Sequence, residues 1–222
     1  MKANELLKLH RLSSQLLQKV VGDDRKGNVL VICHGGLAPP ECPRLMRDER
    51  RFGLALCLRT GARQPALEPE YSLDCASNAL PFQDEVFRAV ILFQVIQDGT
   101  EQELDEACRV LNRGGELLLI GLNRSSWSGV RTCRGATVPA LRLAKVRAGL
   151  EARDMVIDRM LGAGLMGLFA RPCMESKTFS AAALPFADVL LLRARHRERP
   201  QPTRMRLKEF RAGAVPTSLS SV

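Results

Sequence analysis

Apolar residues at positions 6, 9, 12, 16, 17 and 20 recur every three to four residues, the spacing that gives a helix one apolar face. This predicts a helix over residues 4–21, within an N-terminal helical segment 1–24, that covers a sheet. After the break at Gly22-Asp23-Asp24, residues 28–33 (NVLVIC) form a short apolar, β-branched run ending in His34-Gly35-Gly36, the profile of a buried parallel strand meeting a tight turn. A second run covers 52–58, and prolines at 39, 40 and 43 keep any helix between the two short or confine it to the stretch after Pro43. Residues 71–74 predict a brief strand, and 89–95 (AVILFQV) the most strand-like run of the chain. Thr100 and Glu103 have the spacing of a capping box ahead of a helical face at Leu104, Ala107, Cys108 and Leu111, which Gly114-Gly115 ends. Residues 116–121 (ELLLIG) predict a further buried strand. Strand and helix in alternation require parallel pairing with right-handed crossovers, hence an α/β, doubly wound sheet with helices on both faces.

Beyond residue 127 comes a Ser/Arg/Gly-rich loop. About two helices are expected between residues 139 and 161, with Leu141, Ala144, Ala148, Met155, Val156 and Met160 buried. Strands are expected over 165–171 and 187–194. Residues 1–195 then make a single domain, and 196–222, with scattered prolines and arginines and few large apolar groups, a basic, mostly disordered tail.

Composition narrows the class. With 222 residues, 45% hydrophobic and 26% charged at a mean hydropathy of −0.08, the chain fits a soluble globular protein. No apolar run approaches the roughly 20 residues that span a bilayer. The charged, interrupted N-terminus lacks a signal-peptide core. Seven cysteines, none at the two-to-four-residue spacing of zinc or redox pairs, fit a reducing cytoplasm and a packing role, and no metal site is expected. The net charge of +9 is unevenly spread: residues 1–120 carry −2 and residues 121–222 carry +11. Such asymmetry marks either an anionic partner, such as an acidic protein, or merely an arginine-rich composition, since 26 of the 33 cations are arginine. A nucleic-acid partner is weakened by an aromatic content of only 5%.

The order and spacing of Leu80-Pro81-Phe82, Phe87-x-x-Val90, Arg109-Val110-Leu111-x-x-Gly114-Gly115 and the strand 116–121 resemble the class I methyltransferases that use S-adenosylmethionine. The stretch Gly121-Leu122-Asn123-x-x-Ser126-x-x-Gly129-x-Arg131 is similar to a narrower bacterial subgroup (type 11-like), in which the chain closes with a strand running into basic residues, as 187–195 does. The resemblance covers residues 28–195. It implies a Rossmann-like, mostly parallel sheet with an antiparallel last strand, and S-adenosylmethionine as cofactor.

In such a fold the ligand lies beyond the carboxyl ends of the strands. The resemblance therefore implies cofactor contacts at Cys33, His34, Gly35, Gly36, Asp74, Cys75 and Gln94, with Asp74 meeting the adenine amine. It implies substrate contacts at Gln97, Asn123 and Ser126 for a small or medium acceptor. No universal catalytic side chain is required, because the reaction is an in-line displacement at a sulfonium methyl that positioning accelerates.

The chain also departs from the pattern. Cys33-His34-Gly35-Gly36 replaces the acidic, three-glycine turn, and strand two ends at Leu58-Arg59-Thr60 without the carboxylate that holds ribose hydroxyls. Arg88, Gln94, Gln97, Arg113 and Arg124 stand where other residues are usual. Asn123 and Ser126 have a second reading, as hydrogen-bond partners of their own loop. Two functions remain open at this stage: a methyltransferase, or a catalytically inactive relative that binds an anionic partner.

Overall fold

The computed structural model describes residues 3–20, 28–34, 55–60, 72–74, 76, 78–96, 101–126, 140–165, 174–175 and 186–197. Helix α1 (Ala3–Val20) precedes β1 (Val29–His34), β2 (Ala55–Thr60), β3 (Ser72–Asp74) and β4 (Phe87–Phe93). Helix α2 (Glu101–Val110) leads into β5 (Leu111–Asn123), followed by β6 (Ala140–Leu141) and α3 (Leu143–Glu151). Strands β7 (Met155–Leu165), β8 (Met174–Glu175) and β9 (Ala187–His196) complete the described elements. They form one mixed sheet in the order β3-β2-β1-β4-β5-β9-β7-β8, with β6 paired to β5. The pairs from β3 to β5 are parallel, and β9 runs antiparallel to both β5 and β7. The expected Rossmann-like sheet with an antiparallel last strand is present.

Strand alternation sorts the core into two layers, as a period of two requires. Val29, Val31, Cys33, Ala89, Ile91, Phe93, Leu118, Ile120 and Leu122 share one face with Leu12, Leu16, Leu17 and Val20 of α1. Leu30, Ile32, Val90, Leu92, Leu117 and Leu119 share the other with Leu104, Ala107 and Val110 of α2 and Val146 and Leu150 of α3. Helices therefore cover both faces.

The motif residues 80–82 and 109–111 meet at the amino end of β4. The Arg109 guanidinium donates to the carbonyls of Leu80 (3.0 Å) and Phe82 (2.8 Å), to Asp84 (2.6 Å) and to both oxygens of Glu106 (2.8 Å each). Glu106 Oε2 also accepts the Leu80 N–H at 2.8 Å. The Arg109 guanidinium beside it holds the Glu106 carboxyl below the usual carboxylate range, against a weaker opposing effect of burial.

Several sequence expectations need correction. Helix α2 yields to β5 at Leu111, before Gly114-Gly115; Phe87 pairs with Leu111 and Ala89 with Glu116, so β5 bulges through both glycines. A Cβ at Gly115 would lie 2.8 Å from the carbonyl oxygens of Arg88 and Asn112, which explains a glycine in that bulge. Only one of the two helices expected over 139–161 forms, and it buries Val146 and Leu150 while Ala144 and Ala148 are exposed. Met155, Val156 and Met160 lie on strand β7. Asp154, in the left-handed region at φ 58°, turns the chain from α3 into that strand. A register shift between Ile157 and Arg159 interrupts its alternation, leaving Val156 exposed and Met160 half-buried. Of the strand expected over 165–171, Leu165 ends β7 and 166–171 lie outside the described residues, as do 198–222 of the tail.

Candidate functional site

Strand order reverses between β1 and β4, and a ligand of a doubly wound sheet sits beyond the carboxyl ends at that reversal. Backbone register sets the tips side by side: Cys33 lies between Arg59 of β2 and Phe93 of β4, Arg59 pairs with Asp74 of β3, and His34 pairs with Thr60. Of the residues singled out from the sequence, Cys33, His34, Asp74 and Gln94 thus gather at one edge. Gly35, Gly36, Cys75 and Gln97 lie outside the described residues.

Cys33 is wholly buried among the apolar side chains of the α1 face, so its thiol packs as a small hydrophobe at the base of this edge. Gln94, expected at the cofactor, is also buried, and its backbone enters the left-handed region at φ 55°. Its N–H donates to Ile120 O at 2.8 Å, and its Oε1 accepts the Leu122 N–H at 3.1 Å. Strand β4 stops pairing at Ile120, whereas β6 begins at Leu122, so Gln94 bridges the gap along β5.

Asn123 and Ser126, expected at the substrate, hold the exit of β5 in shape. Asn123 Nδ2 donates to Ala187 O at 2.9 Å and its Oδ1 accepts the Ser125 N–H at 3.0 Å, while Ser126 Oγ donates to Asn123 O at 2.8 Å. Both side chains are about 1% exposed. These bonds are the loop-internal alternative for an Asn-x-x-Ser turn.

Sequence reasoning missed Asp188, a buried carboxylate one residue from Ala187, whose carbonyl takes the Asn123 bond. Gly164 lies against it: at φ 74°, an added Cβ would stand 2.8 Å from Asp188 Oδ2. The signal available was a charge inside the apolar run 187–192. His10 of α1 was also missed; its ring meets Phe93 edge to face, with centroids 5.7 Å apart.

On the opposite face, a groove of about 560 Å3 runs between α2 and α3, with Ile96, Leu104 and Val146 in its wall and Lys145 at α3. Arg153 crosses it, donating to Asp105 (2.7 Å), Gly149 O (2.7 Å) and Glu101 O (2.9 Å). Burial pushes the nearby Cys108 thiol up to about 11, outweighing the opposing charge of Arg153. Other cations of the basic half are likewise paired: Arg193 with Asp158 (2.7 Å), Arg195 with Glu116, and Arg147 with Glu151 (2.9 Å). Arg142 precedes α3 in extended backbone (φ −100°), so it does not share a helical face with Lys145. Among the described residues no group of three metal-ligating side chains occurs, and no helix is long and apolar enough to cross a membrane.

The fold has counterparts among solved structures. A methyltransferase from Thermotoga maritima that depends on S-adenosylmethionine (SAM) matches at a TM-score of 0.58 and 14% identity, over 86% of this chain and 93% of its own. Geranyl diphosphate C-methyltransferase from Streptomyces coelicolor A3(2), solved with Mg2+, geranyl diphosphate and S-adenosyl-L-homocysteine, matches at 0.53 and 14%, over 87% and 83%. A SAM-dependent methyltransferase from Aquifex aeolicus matches at 0.52 and 11%, over 87% and 98%. The fold is that of class I methyltransferases. No protein-family model matches the sequence, and no curated protein does. At these identities the likeness is one of fold.

Proposed function

We propose that this chain is a SAM-dependent methyltransferase for a small or medium acceptor, with the cofactor held beyond the carboxyl ends of β1, β3 and β4. The observation that carries this reading is the reversal of strand order between β1 and β4, with His34, Thr60, Asp74 and Gln94 at neighbouring strand ends. The edge fits the cofactor at its two extremities. Asp74 closes β3 as an acceptor for an adenine amine, and β1 ends in His34 ahead of Gly35-Gly36, which lets the backbone approach the methionine part closely. Cys75 follows Asp74 in sequence. Between them, β2 ends in Arg59-Thr60, where hydroxyl recognition has Thr60 and no carboxylate.

Bound SAM supplies an electrophilic methyl on a sulfonium, transferred in line to the acceptor. The chain supplies positioning and exclusion of water. Gln94, Asn123 and Ser126 act here by fixing the β4 and β5 exits, and Gln97 is the remaining candidate for a substrate contact. An acidic protein partner would engage cations other than Arg147, Arg153, Arg193 and Arg195, which already face carboxylates within the fold. Thermal unfolding with SAM, S-adenosylhomocysteine or ATP tests this reading: the first two raise the midpoint and ATP leaves it unchanged. Equal shifts with all three, or none, favour an inactive binding protein.

A further inference from the structure

We infer that α1 forms one wall of the ligand crevice and that His10 is its ligand-lining residue, presenting an aromatic face to the adenosyl group; this rests on the cofactor reading above. Three observations converge. The His10 ring packs edge to face on Phe93 at 5.7 Å, within the 4.5–7 Å of a favourable aromatic pair. Phe93 is the last residue of β4 and pairs with Cys33, next to the last of β1, so His10 meets the end of β4 beside the point where the sheet order reverses, while the body of α1 lies mainly on β9, β7 and β5. Phe93 and Cys33 are buried, at 1% and 0% exposure, whereas His10 is half-buried, so of the three only His10 keeps an accessible surface.

The rest of α1 fixes this placement. Leu12, Leu16, Leu17 and Val20 pack into the same layer as Val31, Ile91 and Phe93, anchoring the helix beyond His10. The anchored Phe93 in turn orients the imidazole. An aromatic face suits both parts of the proposed ligand near the methyl, since adenine stacks and a sulfonium is a cation.

The chain contains three histidines, and their places make the test internal. His10 and His34 are at the carboxyl edge, while His196 ends β9 opposite Met155, at the other end of the sheet. Histidine ring signals of the full chain, assigned with His10→Gln, His34→Gln and His196→Gln, are followed by NMR during titration with S-adenosylhomocysteine. The His10 and His34 signals should move on one saturation curve while His196 stays, and His10→Ala should weaken affinity by about 3- to 10-fold with the fold retained by circular dichroism. Movement of His34 without His10 overturns the inference and leaves the cofactor reading standing. Movement of none overturns both, and movement of His196 as large as that of His10 also overturns the inference.

Discussion

Gln94 accepts the backbone N–H of Leu122 through its side-chain amide oxygen, at 3.1 Å and out of contact with solvent. One side chain thereby spans the step between the last β4 pair, at Ile120, and the first β6 pair, at Leu122. Gln94→Ala removes the acceptor and leaves a buried N–H, at a cost of about 1–3 kcal/mol. Gln94→Gly loses the same bond but relieves the left-handed backbone at φ 55°, so it should be the less destabilising of the two. Urea unfolding of both variants checks the order.

Gly164 and Asp188 make a second such relationship. Gly164→Ala meets both a φ of 74° and a carboxylate oxygen 2.8 Å from the new methyl, and should cost about 2–4 kcal/mol. In an Asp188→Ala background the oxygen is gone, which leaves the backbone part of the penalty and a 3.1 Å contact with the Cβ of residue 188. A double-mutant cycle should therefore be non-additive, with the smaller loss in the Asp188→Ala chain.

The Arg109–Glu106 pair predicts acid sensitivity at the opposite end of the sheet. Because the folded state holds the Glu106 pKa below 4.5, the stabilisation is fully present above the ordinary carboxylate range and is lost as pH falls through the folded value. Arg109→Ala unties Leu80, Phe82, Asp84 and Glu106 together and should cost about 1.5–3 kcal/mol near neutrality. Glu106→Gln should flatten the fall in stability on acidification below pH 4.5, measured by denaturant melts across that range.

Cys108 offers a chemical check on the α2 packing. With its thiol raised from 9.0 to about 11, the thiolate fraction near pH 8 is lower by about 100-fold than for an ordinary cysteine. Mass spectrometry of iodoacetamide-treated protein should find Cys108 modified much more slowly in the native chain than in urea.

Legibility from sequence followed burial on both faces. Strands β1, β4, β5 and β9 are continuous apolar runs because helices cover both sides of the sheet, and each was evident. Strand β7 was not: Asp158 falls at its register shift, so Met155, Val156 and Met160 lose the period of two and imitate a helix. The motif around Arg109 was legible as a spacing, but its role as a clamp on two carbonyls became visible only once residues 80 and 109 were seen together. At the site, Gln94, Asn123 and Ser126 carry polar groups that suit a ligand and a backbone equally well. Their partners are set by where β4, β6 and β9 end, which no local pattern encodes.

Calorimetric titration of the full chain with S-adenosylmethionine, beside Asp74→Ala, tests the central claim most directly. Saturable one-to-one binding is expected. It should be weaker by about one to two decades than with a ribose-binding carboxylate at the end of β2, and it should weaken further in Asp74→Ala, which loses a charge-assisted hydrogen bond. Absence of saturable binding by the folded chain, or identical affinity in the Asp74→Ala variant, would contradict a cofactor site at the ends of β1, β3 and β4.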